Sequence, residues 1–300
     1  MFAFLGRALS LNLMRLGLAI ATTLLFWASA FAAIGVALEG YTPGQIGFSR
    51  FFVASVLMAG FALAGKIRRP DRADLPRIIV VALLGIPAYN LLLNYGKQTV
   101  TAGSASFIVN IGPVFAALFS TWLLRERVRP WAWAGMAVSL AGVGIIAFGE
   151  HSLSLGLGTV LLLGAAVAQS LYFVVQKPLL ARYSAKEIVA YSFWLGTAVL
   201  AFTAGGLPDA GAHAPARATG VLLYLGVFPS FLGFICWSYV LARLPAGHAA
   251  SLLYLIPAVT IGIAYFWLHE LPRPVALSGG GLCLLGVVVV NTLGRPAAKA

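Results

Sequence analysis

The sequence predicts an all-α integral membrane protein, with ten transmembrane helices forming two inverted five-helix repeats around a central cavity. Three observations carry that expectation. The 300-residue chain is 61% hydrophobic and 9% charged, whereas soluble domains are about half apolar and a quarter charged. Its apolar runs are about 20 residues long, enough to cross the hydrocarbon core of a bilayer. The segment from Ala102 to Val143 recurs without a gap from Ala246 to Val287. Gly103, Pro113, Glu126, Pro130, Gly135 and Gly142 match Gly247, Pro257, Glu270, Pro274, Gly279 and Gly286.

In chain order, apolar runs bounded by charge or by Pro and Gly place helices over 15–38, 43–65, 77–97, 101–124 and 131–149, then 155–180, 187–207, 218–242, 246–268 and 274–294. The first run follows two arginines and contains Ala28-Ser29-Ala30, as a cleavable signal peptide would. It nevertheless continues to Leu38, and its removal would leave four helices against five. The halves divide between Gly149 and Ser154, giving domains 1–149 and 155–294. Their first portions align more weakly, through Phe31 with Phe173 and Tyr41 with Tyr183.

Charge sets the direction. A net charge of +12 would suggest a nucleic-acid partner in a soluble protein, but here the cations alternate between loops. Of the 20 Lys and Arg, only Lys97, Arg217 and Arg273 would face outward if the N-terminus is cytoplasmic, with Arg50 inside a span. The positive-inside rule therefore places both termini in the cytoplasm of a multi-pass protein of the bacterial inner membrane. Five helices per repeat is an odd number, so equivalent helices face opposite sides, an arrangement suited to alternating access. The expected partners are the lipid bilayer and a small-molecule substrate, with no nucleic acid, and the expected state is a monomer.

The fourth and ninth helices open with small residues, Ala102-Gly103-Ser104-Ala105-Ser106 and Ala246-Gly247-His248-Ala249-Ala250-Ser251, which let helices approach closely in lipid. Each then carries a proline, Pro113 or Pro257, which removes a backbone donor and frees a carbonyl near Val109 or Leu253. These prolines are either structural kinks or gate hinges. Glu126 and Glu270 end the same helices. As interfacial structural charges, each is expected to bond a helix start or a neighbouring cation. Glycines 135, 142 and 144, with 279, 280, 281 and 286, give the fifth and tenth helices small faces for close contact.

Polar side chains within spans are costly unless they face protein or water. Asn90, Asn94 and Gln98 share one face of the third helix, Gln169 and Gln176 flank Tyr172 on the sixth, and Asn110 lies on the fourth. They read as a wet lining or as interhelical ties. Mid-depth aromatics interleave with them: Trp27, Phe31, Tyr89, Phe107, Trp237 and Tyr254. A cavity offering π-faces beside amides suits a solute that is part apolar and part polar. The expected binding set is Trp27, Phe31, Tyr89, Asn90, Asn94, Phe107, Asn110, Gln169, Tyr172, Trp237 and Tyr254. Trp131, Trp133 and Trp267 fit interfacial anchors.

No Asp or Glu lies at mid-span, so an embedded-carboxylate proton relay is not expected. Arg50 is the deepest cation, either a structural charge on helix ends or a partner for an anionic group. His151, His213, His248 and His269 share no spacing for a metal, and Cys236 and Cys283 lie in apolar runs as packing residues. No HExxH, GxSxG or P-loop is present. Neither an enzyme nor a cofactor is expected.

The aromatic in the first helix, the AGxAS and AGHAAS starts, the midway prolines, and the Glu followed four residues later by Pro resemble the EamA family of the drug/metabolite transporter superfamily. Within it the chain is similar to YddG-type bacterial exporters of aromatic and other amino acids. The resemblance covers nearly the whole chain and implies ten helices, a cavity lined by the first, third, fourth, sixth, eighth and ninth, and inner-membrane export of metabolites. Related four-helix multidrug transporters carry an embedded Glu in their first helix, where this chain reads Leu24-Leu25-Phe26-Trp27-Ala28-Ser29-Ala30-Phe31. The expected function is export of aromatic and other neutral amino acids or similar small metabolites. The alternatives are a multidrug or organic-cation exporter, a sugar-phosphate or nucleotide-sugar carrier, and a non-transporting scaffold.

Overall fold

The computed structural model describes residues 2–65, 67–124, 130–151, 156–244 and 252–293. Glu126 and the predicted start of the ninth helix, including Gly247 and His248, lie outside them. Every regular element among the described residues is helical. The first half holds α1 (Phe2–Ala37), α2 (Pro43–Leu63), α3 (Leu75–Leu83), α4 (Tyr89–Gly96), α5 (Ala102–Val109), α6 (Gly112–Leu124) and α7 (Pro130–His151). The second holds α8 (Leu157–Gln176), α9 (Ala185–Leu200), α10 (Leu207–His213), α11 (Ala216–Leu225), α12 (Gly233–Leu241), α13 (Ile256–Leu268) and α14 (Pro274–Thr292).

Six helical runs among the described residues are long and apolar enough to cross a membrane: Leu13–Ala37, Arg72–Gly96, Ala102–Leu123, Leu157–Ala181, Ala185–Thr203 and Ala216–Leu241. Shorter apolar helices cover Trp133–Gly142, Ile256–Leu268 and Pro274–Gly286. Outward-facing Leu63, Trp122, Phe202 and Phe266 are at least three-quarters exposed, at 90%, 77%, 75% and 76%. Such apolar exposure suits a surface bathed in lipid rather than water.

Helices α2 and α9 start alike. A tyrosine precedes a hydroxyl N-cap, and the third helical residue closes a reciprocal capping box: Thr42 with Gln45, and Ser184 with Glu187. The same capping residues then grip the other helix's far end. Gln45 Nε2 donates to Gly205 O at 2.9 Å beyond α9, while Arg68 beyond α2 pairs with Glu187 at 3.1 Å. The two helices therefore run antiparallel, and between these grips the Ser55 and Thr197 hydroxyls share a hydrogen bond of 2.9 Å.

Helices α7 and α14 pack through backbone. A Cβ on Gly142 would stand 2.5 Å from Gly279 O and Cys283 N, and one on Gly279 would stand 2.7 Å from Gly142 O. A Cβ on Gly286 would meet Ser139 N at 2.5 Å. Only glycine permits this approach. Ser139 Oγ, buried in the seam, donates to Cys283 O at 3.0 Å.

The predicted third and eighth helices are interrupted. Proline cannot donate to the preceding turn, and each run widens into a π segment around one: Leu84–Ala88 with Pro87, and Gly226–Leu232 with Pro229. The predicted fourth helix is not a kinked rod either. It stops at Val109 and restarts at Gly112, so Pro113 sits in the first turn of α6, where its missing N–H costs nothing. Pro257 occupies the same position in α13, after a 3-10 turn at Leu253–Leu255. The predicted seventh helix ends earlier than 207, and α10 occupies the loop that follows.

Candidate functional site

The breaks before Pro113 and Pro257 meet at the centre. Val109 and Leu253, equivalent residues of the duplicated segment, line one cavity together with Asn110 and Ile256. Trp27, Ala30 and Phe31 come from α1, Arg50 from α2, Tyr89 and Leu93 from α4, Gln169 from α8, and Phe234 from α12. The space open to the centre of a water-sized molecule is about 30 Å³, within about 510 Å³ of atom-free space that includes the open mouth. None of the described lining residues is acidic. The chemistry on offer is aromatic faces and aliphatic walls around one cation, two amides and a phenol.

Each polar group is placed by a local feature. Gly226 lets the π segment close on α2: a Cβ there would stand 2.7 Å from Val53 Cβ and 3.1 Å from Arg50 O. That approach brings Ser230 within reach, and Arg50 Nε donates to its hydroxyl at 2.8 Å. The side chain is 3% exposed, and its Nη1 has no hydrogen-bond partner. The guanidinium stands 5.2 Å from the Phe51 ring centre. Tyr89 lies close enough to Arg50 and to the Gln169 side chain to interact with both. Asn110 Nδ2 donates to Ser106 O at 2.8 Å, one turn back at the broken end of α5.

Trp27 donates from Nε1 to Pro229 O at 3.1 Å, its indole lying over Gly233, where a Cβ would come within 2.7 Å. It also anchors an aromatic cluster, with ring centres 5.3 Å from Trp237 and 5.5 Å from Phe234. Tilted and edge-on contacts of this kind fix the wall that closes the cavity from one side.

Of the expected binding set, Trp27, Phe31, Tyr89, Asn110 and Gln169 line the cavity. The others, Tyr254 apart, lie outside that lining. Asn90 is fully buried and donates to Ile86 O at 2.9 Å, within the turn disturbed by Pro87. Asn94, equally buried, donates to Pro43 O at 3.0 Å in the first turn of α2. Tyr172 covers Gly85, where a Cβ would fall 2.6 Å from its Cε2. Phe107 sits on Gly280 in the same way. Trp237 stands behind Trp27, with Nε1 unpartnered. The backbone of Tyr254 lies in the 3-10 turn, and its side chain is outside the described residues.

Arg50 enters as a cavity residue as well as a structural charge. Leu93, Val109, Phe234, Leu253 and Ile256 were absent from the sequence-based set because an apolar residue in an apolar run gives no sign of facing a cavity. Glu270 accepts from Ala102 N at 3.0 Å, at the start of α5 in the other half. A carboxylate there meets the unpaired amides and positive end of a helix dipole. It borders a second cleft with Gly35, Glu39 and Lys97, whose Nζ donates to Val100 O at 3.1 Å. A charged cluster sits between the halves. Arg182 pairs with Asp74 at 2.7 Å and Asp71 at 3.1 Å, and the Tyr183 hydroxyl donates to Asp74 at 2.7 Å. Burial together with that bond raises the Tyr183 pKa above its ordinary value.

The EamA-like transporter family model matches the chain twice, over residues 15–148 and 156–292. The chain belongs to this family. It is 41% identical to a probable terminal-alkyne amino-acid exporter of Streptantibioticus cattleyicolor over 92% of this chain and 94% of that one. It is 35% identical to the uncharacterized transporter YdfC of Bacillus subtilis, covering 87% of this chain and 86% of that one. An uncharacterized transporter of Archaeoglobus fulgidus is 29% identical over 92% and 99%. A solved crystal structure, 18% identical, shares the fold with a TM-score of 0.65 over 94% of this chain and 99% of that one. The protein is thus a multi-pass membrane protein of a transporter family, built to carry a small molecule.

Proposed function

We propose that this EamA-family member exports aromatic and other neutral amino acids, or closely similar small metabolites, across a bacterial inner membrane by alternating access. The observation that carries the reading is the cavity: a single cation, amides and aromatic faces at the junction of both halves, with no acid in its lining. An amino acid has complementary parts, a carboxylate for the cation and a side chain for the rings. The amino-acid exporter named among the relatives supports the same substrate class.

Ten spans in two inverted five-helix repeats, 1–149 and 155–294, with both termini cytoplasmic, supply the transport frame. Three features support that architecture: the two family-model matches, the antiparallel pairing of α2 with α9, and contacts between equivalent residues at Ser55 with Thr197 and Ser139 with Cys283. In such a frame, rocking one repeat against the other exposes a central site to each side in turn. The broken helices at Pro113 and Pro257 are the proposed hinges, because each has an interruption of its α-helix directly beside the cavity.

An organic cation would want a carboxylate at cavity depth, and a phosphate would want several cations. The lining offers neither. Reconstitution into liposomes tests the reading: labelled phenylalanine or leucine should show saturable counterflow, with little for quaternary amines or hexose phosphates. Counterflow of cations alone would sink it.

A further inference from the structure

Arg50 is a buried cation whose charge has no opposite within the cavity. The Asp and Glu at 39, 71, 74, 187, 209 and 270 lie among the described residues, and none of them is a lining residue. The guanidinium donates through Nε to the Ser230 hydroxyl and interacts with the Phe51 ring, while Nη1 is buried with no partner. A desolvated guanidinium with a neutral hydroxyl, a phenol and a ring beside it is expensive to maintain. A carboxylate matches its planar fork and restores both charge and hydrogen bonding. Beside it, Tyr89 and Gln169 add donors, and Phe31, Trp27 and Phe234 offer apolar surface.

We infer that this cavity takes organic monocarboxylates bearing an apolar group, anchored through the carboxylate by Arg50, and that the amino group of an amino acid is not required. An obligatory ammonium would need an acid in the lining. The Asn110 and Gln169 amides instead present both donors and acceptors and accept an amine, a hydroxyl or an acylated nitrogen alike. The substrate carboxylate is then the missing counter-charge of Arg50. N-acylated amino acids and 2-hydroxy acids with apolar side chains therefore fall within the substrate class. The inference rests on the proposed export function only in taking this cavity as the solute's site.

Equilibrium binding to the purified protein, read by heat release or by the shift in unfolding temperature, tests the anchor without requiring transport. The panel is phenylalanine, N-acetylphenylalanine, 3-phenyllactate, phenylalanine methyl ester and phenethylamine. The three acids should bind with similar affinity, and the ester and amine at least about tenfold more weakly, the loss expected when a charge-assisted bond is removed. In Arg50→Gln the preference for acid over ester should vanish, and Arg50→Lys should restore part of it. The wild-type panel stands alone if Arg50→Gln fails to fold. Ester binding as tight as acid binding, an N-acetyl acid weaker by tenfold than its parent, or no binding by any acid would each overturn the anchor. Acid binding without counterflow would instead sink the export reading and leave the anchor standing.

Discussion

Ser55 and Thr197 share a buried hydrogen bond of 2.9 Å, and they stand at the same distance along α2 and α9 from the two capping boxes. Ser139 and Cys283, equivalent residues of α7 and α14, are joined in the same way at 3.0 Å. A residue that touches its own equivalent lies on a two-fold axis, and contacts around it repeat reciprocally. The contact of Gly142 with Gly279 is repeated in this way by its equivalent, Gly286 with Gly135. The proposed inverted repeat thus has two anchor points, one beside the cavity helices and one in the α7–α14 seam.

The seam makes the first prediction. Gly286→Ala would push a Cβ to within 2.5 Å of Ser139 N, against the Gly135 carbonyl and the Ser139 hydroxyl as well, and should cost about 1–3 kcal/mol, as overpacking does. Gly281→Ala, with nothing within 4 Å of its Cβ, should be neutral or slightly stabilising, since alanine favours helix. Unfolding temperatures of the two variants in detergent compare them. Equal values would remove the seam as a close-packed interface.

The second concerns the cluster between the halves. Tyr183→Phe should lose the bond to Asp74 and lower the unfolding temperature. Because the folded phenol has a raised pKa, its contribution is complete below the ordinary phenol pKa of about 10 and declines as pH rises through the folded value. Wild type and Tyr183→Phe should therefore differ in unfolding temperature at neutral pH and converge in strong alkali. A difference that grows with pH would contradict the assignment.

The third separates backbone service from substrate contact. Asn90→Ala removes the side-chain bond to the Ile86 carbonyl in the disturbed turn, leaving that carbonyl its backbone partner Tyr89 N, and should lower stability by about 0.5–1.5 kcal/mol while leaving the order of preferred substrates unchanged. Gln169→Ala, in the cavity lining, should do the reverse. Unfolding curves and competition for counterflow measure the two effects, and a changed substrate order in Asn90→Ala would return Asn90 to the binding set.

The helical membrane character was legible because apolar length and charge alternation follow directly from the bilayer. The duplicated segment was legible because its glycines and prolines cannot be exchanged freely. The binding set was legible only in part, for a physical reason. Within lipid a polar side chain can serve a solute or a backbone carbonyl in a helix distorted by proline, and Asn90 and Trp27 bond such carbonyls at Ile86 O and Pro229 O. Pro87, three residues before Asn90, was the available signal. Arg50 could not be placed from sequence because its surroundings depend on the close approach at Gly226. The apolar lining carries no sequence mark at all.

The most direct measurement uses Gln169→Cys in protein with Cys236 and Cys283 replaced, reconstituted into liposomes. A neutral aromatic amino acid should show saturable counterflow, a water-soluble thiol reagent should abolish it, and excess substrate should slow the labelling. No counterflow of any amino acid by folded protein, or counterflow that survives full labelling of position 169, would contradict export through this cavity.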